Sequence, residues 1–170
     1  MKFVNKETGL GLIISEKLVE EIADNGIKKY PNEFGGLLLG RYINNNKIVV
    51  IEESILPKKY ASSRYYFERG SVGIKEILVA KYNATPSLKY VGEWHTHPDG
   101  PAKPSTTDLK AMRELANDSN VFITNPVLMI MEIWKTSYKM ELYFLSNNKL
   151  LRYDMVEEKE EVTIDKANNN

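Results

Sequence analysis

The stretch "LKYVGEWHTHP" ends on two histidines one residue apart, and they are the only histidines in the chain. In extended backbone, side chains two apart share a face, so His95 and His97 present their rings on one side of a strand and Thr96 points to the other. Pro98 closes the strand, because it has no N–H to give to a ladder. After the loop "PDGPAKP", Ser105 stands where an N-cap belongs and Asp108 follows three residues on. "STTD" therefore resembles a capping box in which aspartate replaces the usual Glu or Gln. A strand, a proline stop, a short loop and a capped helix leave the chain few ways to fold here, and they carry a carboxylate back over the strand end.

That carboxylate completes a metal-donor set. Catalytic zinc takes three protein ligands from nitrogen and oxygen donors, at about 2.0 to 2.2 Å, and leaves a fourth position open. His95, His97 and Asp108 are such a set, for one Zn²⁺ per chain. An isolated HxH is more often two surface histidines on a strand. Context separates this one: a strand end, a helix start at fixed spacing and a glycine-rich element upstream. "HTHPD" partly matches the HxHxD of metallo-β-lactamase-like hydrolases, but Gly100 stands where another histidine is required. Amidohydrolase barrels need roughly 250 residues. Zinc deaminases need a cysteine pair, and this chain has no cysteine.

With 170 residues, 42% of them hydrophobic, the chain can bury one core. We expect a single domain over residues 1–156 and a frayed, acidic and asparagine-rich tail over 157–170. Twenty-three basic residues balance 23 acidic ones, which argues against nucleic-acid partners and an anionic membrane surface. The absence of cysteine fits a reducing compartment. No signal-peptide-like run opens the chain and no run approaches the ~18 apolar residues of a membrane span, so a soluble, cytoplasmic protein is expected.

The elements follow from apolar periodicity. Leu10 to Ile14 reads as a strand, and Ser15 caps a helix whose stripe is Leu18, Val19 and Ile22, with Gly26 and Pro31 at its frayed end. "GGLLLGRYI" and "KIVVIEESIL" form a hairpin across Asn44 to Asn46. "PKKYASSRYYFERG" reads as an irregular surface loop, in which Tyr65, Tyr66 and Phe67 either pack inward as a short strand or form a docking surface. A helix follows near Val72 to Tyr82 with Ile74, Ile77, Leu78 and Ala80 apolar. "PVLMIMEIW" and "KMELYFL" pair across "KTSY", and "KLLRYDMV" adds a strand or a terminal helix.

Upstream, "NEFGGLLLG" places Glu33 before a glycine pair that opens a buried strand. On its own Glu33 is a solvated carboxylate at a helix end. Together with "HTHP" and "PSTTD", however, the chain resembles the JAMM, or MPN-plus, family of zinc isopeptidases, whose pattern is a glutamate before a GxLxG-like strand, then HxHP, then PS and xxD. The matching residues are Glu33, then His95, His97 and Pro98, then Pro104, Ser105 and Asp108. The resemblance implies an α+β fold, a curved mixed β-sheet flanked by helices with a layout like that of cytidine deaminases. It also implies zinc on His95, His97 and Asp108, Glu33 as the general base that moves a proton from water to the leaving amine, and Ser105 donating to the oxyanion.

"GEWHTHP" departs from the "GWYHSHP" common in eukaryotic deubiquitinating members. Glu93 shares a face with His95, so it either orients that imidazole or pairs with a lysine at the strand edge. The short chain looks like stand-alone bacterial members, among them deconjugating peptidases of cyclic-nucleotide antiphage (CBASS) operons. There, a fused E1/E2-like enzyme attaches the C-terminus of a nucleotidyltransferase, the CD-NTase, to targets, and the peptidase reverses it. The implied substrate is a protein with an extended C-terminal tail, and Arg64 and Tyr65 are candidate contacts for it. Other readings are processing of a ubiquitin-like precursor, a metal-free MPN-type scaffold, and a zinc hydrolase acting on a small or nucleic-acid substrate.

Overall fold

A computed structural model describes residues 1–156 of the chain; the tail expected from Glu157 onward lies outside the described residues. Nine strands make one curved sheet. In chain order they are β1 (Lys2–Val4), β2 (Gly11–Ile14), β3 (Gly35–Ile43), β4 (Ile48–Ile55), β7 (Lys89–Pro98), β8 (Val127–Ile133), β9 (Tyr138–Ser146), β10 (Lys149–Arg152) and β11 (Asp154–Met155). A separate two-stranded sheet holds β5 (Tyr60–Ser63) and β6 (Tyr66–Arg69). The helices are α1 (Glu16–Ile27), α2 (Ile74–Asn83) and α3 (Thr106–Asn117).

Sheet order is β10-β9-β8-β7-β3-β4-β2-β1-β11. Its two parallel pairs are β2 with β4, whose connection contains α1, and β7 with β8, whose connection contains α3, since parallel neighbours need a crossover. Alternation along β8 sorts the core. Val127, Met129, Met131 and Ile133 pack with Leu18, Val19, Ile22 and Ala23 of α1, while Leu128 and Ile130 pack with Met112 of α3. Because the sheet is covered on both sides, β8 is apolar almost throughout. Leu37 and Leu39 of β3 meet Ile74 of α2 with Ile77 and Leu78 beside it, but Ala80 faces outward.

Two expectations need correction, and one alternative is decided. "PKKYASSRYYFERG" is a β-hairpin rather than an irregular loop, with Tyr60 opposite Arg69 and Ser63 opposite Tyr66. It is held less by alternation than by Phe67 and Tyr60, whose rings gather on Phe34. Phe67 packs inward, whereas Tyr65 is 83% exposed and Tyr66 48%. "KLLRYDMV" is strand rather than helix, and it splits around the buried Tyr153. β10 pairs with β9 at one edge while β11 pairs with β1 at the other, so one short segment nearly closes the sheet. Lastly, Gly26 stands one residue before the end of α1, and a Cβ there would sit 2.5 Å from Thr96 Cγ2, so its absence lets the helix approach β7.

Candidate metal centre

The exposure of β7 alternates as its sequence dictates. Trp94, Thr96 and Pro98 are buried on the α1 side, and Glu93, His95 and His97 are half-buried on the opposite side, toward α3. β7 ends there, and the N-terminus of α3 returns over it.

The capping box at that N-terminus fixes Asp108. Ser105 N–H and Oγ–H donate to Asp108 Oδ2 at 2.6 and 2.7 Å, and Asp108 N–H donates back to Ser105 Oγ at 3.1 Å. The other carboxylate oxygen, Oδ1, faces His95 Nε2 at 3.5 Å. His95 Nε2 and His97 Nε2 lie 3.0 Å apart. One ligand atom from each of His95, His97 and Asp108 can be chosen so that all lie within 4.8 Å of one another. Tetrahedral bonds of about 2.05 Å put ligand atoms about 3.3 Å apart, and the two measured separations bracket that value. His97 Nδ1 lies 2.7 Å from the Pro101 carbonyl, an acceptor, so Nδ1 carries the proton and Nε2 keeps its lone pair for an ion. The donor set therefore fits a divalent metal with nitrogen and oxygen preferences.

Burial is the largest influence on the titration of His95 and of Glu33. It lowers the His95 imidazole to about 4, with Asp108 pulling upward and His97 pushing further down. The ring is neutral and available to a metal at pH 7. Burial likewise raises the Glu33 carboxyl; the charge of His97 lowers it and that of Asp108 raises it, so Glu33 feels both residues.

Glu33, Glu93, His95, His97, Ser105 and Asp108 all line one groove, walled by β6 on one side and the first turns of α3 on the other. Glu33 reaches it because its segment is bonded on both sides: its N–H donates to the Ser63 carbonyl at 2.8 Å, and Thr96 N–H donates to the Phe34 carbonyl at 2.8 Å. Gly35, where the strand begins, has room only for hydrogen, since a Cβ would lie 2.3 Å from the Trp94 carbonyl oxygen.

Among the candidates for tail contact, Tyr65 lines the groove. Arg64 donates to Asp99 Oδ2 at 2.6 Å, and Tyr30 OH donates to the same oxygen at 2.9 Å, so the hairpin turn is tied to the loop after the histidines. Among the described residues Glu93 pairs with an arginine rather than a lysine. It accepts from Arg69 Nη2 at 2.8 Å and Tyr90 OH at 2.5 Å, because the β5–β6 hairpin swings Arg69 over β7. Sequence spacing offered no signal for Tyr30, Arg69 or Asp99, whose partners are 24 to 69 residues away. Thr96 was legible only as a residue pointing away from the site.

The comparisons agree with this architecture. The family model described as prokaryotic homologs of the JAB domain matches residues 15–144, and the chain belongs to that family. A "CD-NTase/cGAS isopeptidase" of Enterobacter hormaechei is 32% identical over 121 residues, 71% of this chain and 66% of that protein. One of Pseudomonas aeruginosa, similarly described, is 35% identical over 86 residues, 49% of this chain and 53% of the relative. The chain thus spans less than two thirds of the first relative's length and about half of the second's. A solution structure from Desulfitobacterium hafniense shares the fold, with a TM-score of 0.58 at 19% identity over 88% of this chain and 94% of that one. Among the described residues no helix is long and apolar enough to cross a membrane.

Proposed function

We propose that this chain is a zinc-dependent isopeptidase that hydrolyses the bond after the C-terminal tail of a conjugated protein, releasing a CD-NTase from its targets in the bacterial cytoplasm as part of CBASS antiphage defence. The observation that carries the reading is the convergence of His95, His97 and Asp108 in a groove shared with a half-buried carboxylate, Glu33. The similarity to CD-NTase/cGAS isopeptidases supports the choice of substrate.

His95 Nε2, His97 Nε2 and Asp108 Oδ1 would hold the zinc. When bound, such an ion supplies Lewis acidity, which polarises a carbonyl and makes water nucleophilic near neutral pH. Glu33, with its affinity for a proton increased by burial, takes the proton from water and passes it to the leaving amine. Ser105 steadies Asp108 through the capping box, and rotation of its hydroxyl away from Oδ2 would let it donate to the developing oxyanion. Glu93, held by Arg69 and Tyr90, places negative charge on the His95 side of the groove. The tail enters along β6, which pairs with β5 alone among the described residues and lines the groove from Tyr66 to Arg69. An extended segment added to that edge gains backbone hydrogen bonds, while the groove takes alternate side chains. Arg64 and Tyr65, at the hairpin turn, meet the tail where it arrives.

The test uses a CD-NTase whose C-terminus is joined to a fluorescent protein. Wild-type chain loaded with zinc should separate the two parts, and Glu33→Ala should keep zinc and fold while holding the fusion uncut. Near wild-type cleavage by Glu33→Ala contradicts the assigned base.

A further inference from the structure

We propose that Thr96 is a positioning residue that sets the distance between Glu33 and the two histidines; the inference rests on the reading of Glu33 as the base. The β3–β7 ladder is registered as far as Gly35 opposite His95. Beyond it the Glu33–Phe34 segment leaves the sheet, and Thr96 holds it with two hydrogen bonds. Its N–H donates to the Phe34 carbonyl at 2.8 Å. Phe34 N–H donates in return to Thr96 Oγ1 at 2.9 Å, so a hydroxyl takes the place a strand carbonyl would hold. Thr96 is fully buried.

The hydroxyl is aimed by the other half of the same side chain. Thr96 Cγ2 occupies the notch at Gly26 of α1, where any Cβ would lie 2.5 Å away. A β-branched residue has few χ1 choices, so seating the methyl against the helix turns the oxygen toward Phe34. Thr96 is also the residue between His95 and His97. The ligands and the base are thereby referred to one point, and their relative placement survives motion of the surrounding loops.

Two substitutions separate the halves. Thr96→Val keeps a methyl for the Gly26 notch but turns a second one toward the buried Phe34 N–H, whereas Thr96→Ser keeps the hydroxyl and empties the notch. With the CD-NTase–fluorescent-protein fusion, Thr96→Val should bind one zinc and retain KM within about twofold. Its kcat should fall about 10- to 100-fold, as for a reacting group displaced by up to an ångström. Thr96→Ser should restore kcat despite a lower Tm. Independently of turnover, amide exchange of Phe34 should quicken in Thr96→Val and not in Thr96→Ser, and a crystal structure of zinc-loaded Thr96→Val should show Glu33 drawn away from the histidines.

Wild-type kcat in Thr96→Val, kcat losses in both variants that follow their Tm, or unchanged Phe34 exchange would overturn the proposal. If Thr96→Val does not fold, Thr96→Ser decides: retained kcat at reduced Tm supports the positioning role, and lost kcat refutes it. Glu33→Gln serves as control. Full turnover there removes the reading of Glu33 as base, while the Phe34 exchange and the crystal structure still judge the positioning.

Discussion

Without metal, acid should unfold this protein in a manner traceable to one ring. Burial lowers His95 to about 4 from the 6.5 of an exposed imidazole. Between those values the unfolded chain binds a proton that the folded chain refuses. Stability from this group is therefore complete above pH 6.5, declines as pH falls toward 4 and changes little below. Moving from pH 8 to pH 5 should favour unfolding by about 30-fold, or about 2 kcal/mol. The ring is only 14% exposed, so solvent screening takes little from that figure. Glu33 works in the opposite direction: its carboxyl is raised, so the folded state takes the proton first and gains stability as pH falls. A comparison with His95→Gln removes that contribution. Urea unfolding in the presence of EDTA at both pH values should show wild type losing about 2 kcal/mol more than His95→Gln. Equal losses in the two proteins would refute the assignment of the buried neutral imidazole.

Other outcomes follow from the same geometry. Ser105→Ala removes the cap of α3 and should cost about 1 kcal/mol in urea unfolding; it also frees Asp108 Oδ2, so metal affinity measured with a competing chelator should fall. Replacing Arg64 and Tyr65 together with alanine should raise KM for the CD-NTase fusion more than it lowers kcat, the mark of binding lost equally from ground and transition states. An unchanged KM places tail recognition elsewhere.

The His95, His97 and Asp108 cluster proposed as the metal site was legible in the sequence because each member is specified locally: His95 and His97 by the two-residue period of β7, and Asp108 by its place in a capping box. The central strands were legible for the same reason, since their apolar runs leave little choice. What was not legible depends on distant partners. The β5–β6 hairpin is polar enough to read as a loop, and it forms because Phe67 and Tyr60 meet Phe34 across the sheet. β1 and β11 are three and two residues long, too short for any period to show, and they become strands by pairing, β1 with β2 and β11 with β1. Gly26 was legible as a mark of the helix end, but its close approach to Thr96 leaves no local trace. The ion pair of Glu93 with Arg69 depends on that hairpin, so sequence supplied the carboxylate without its partner.

The most direct test of the account is the zinc content of the purified chain, measured by mass spectrometry after dialysis against a weak chelator. About one zinc per wild-type chain is expected from three protein ligands and one open position. His97→Ala, which removes a proposed ligand whose ring is oriented by the Pro101 carbonyl, should hold almost none. A full equivalent retained by His97→Ala, or no metal bound by the wild type, would contradict the assignment of His95, His97 and Asp108 as the metal site.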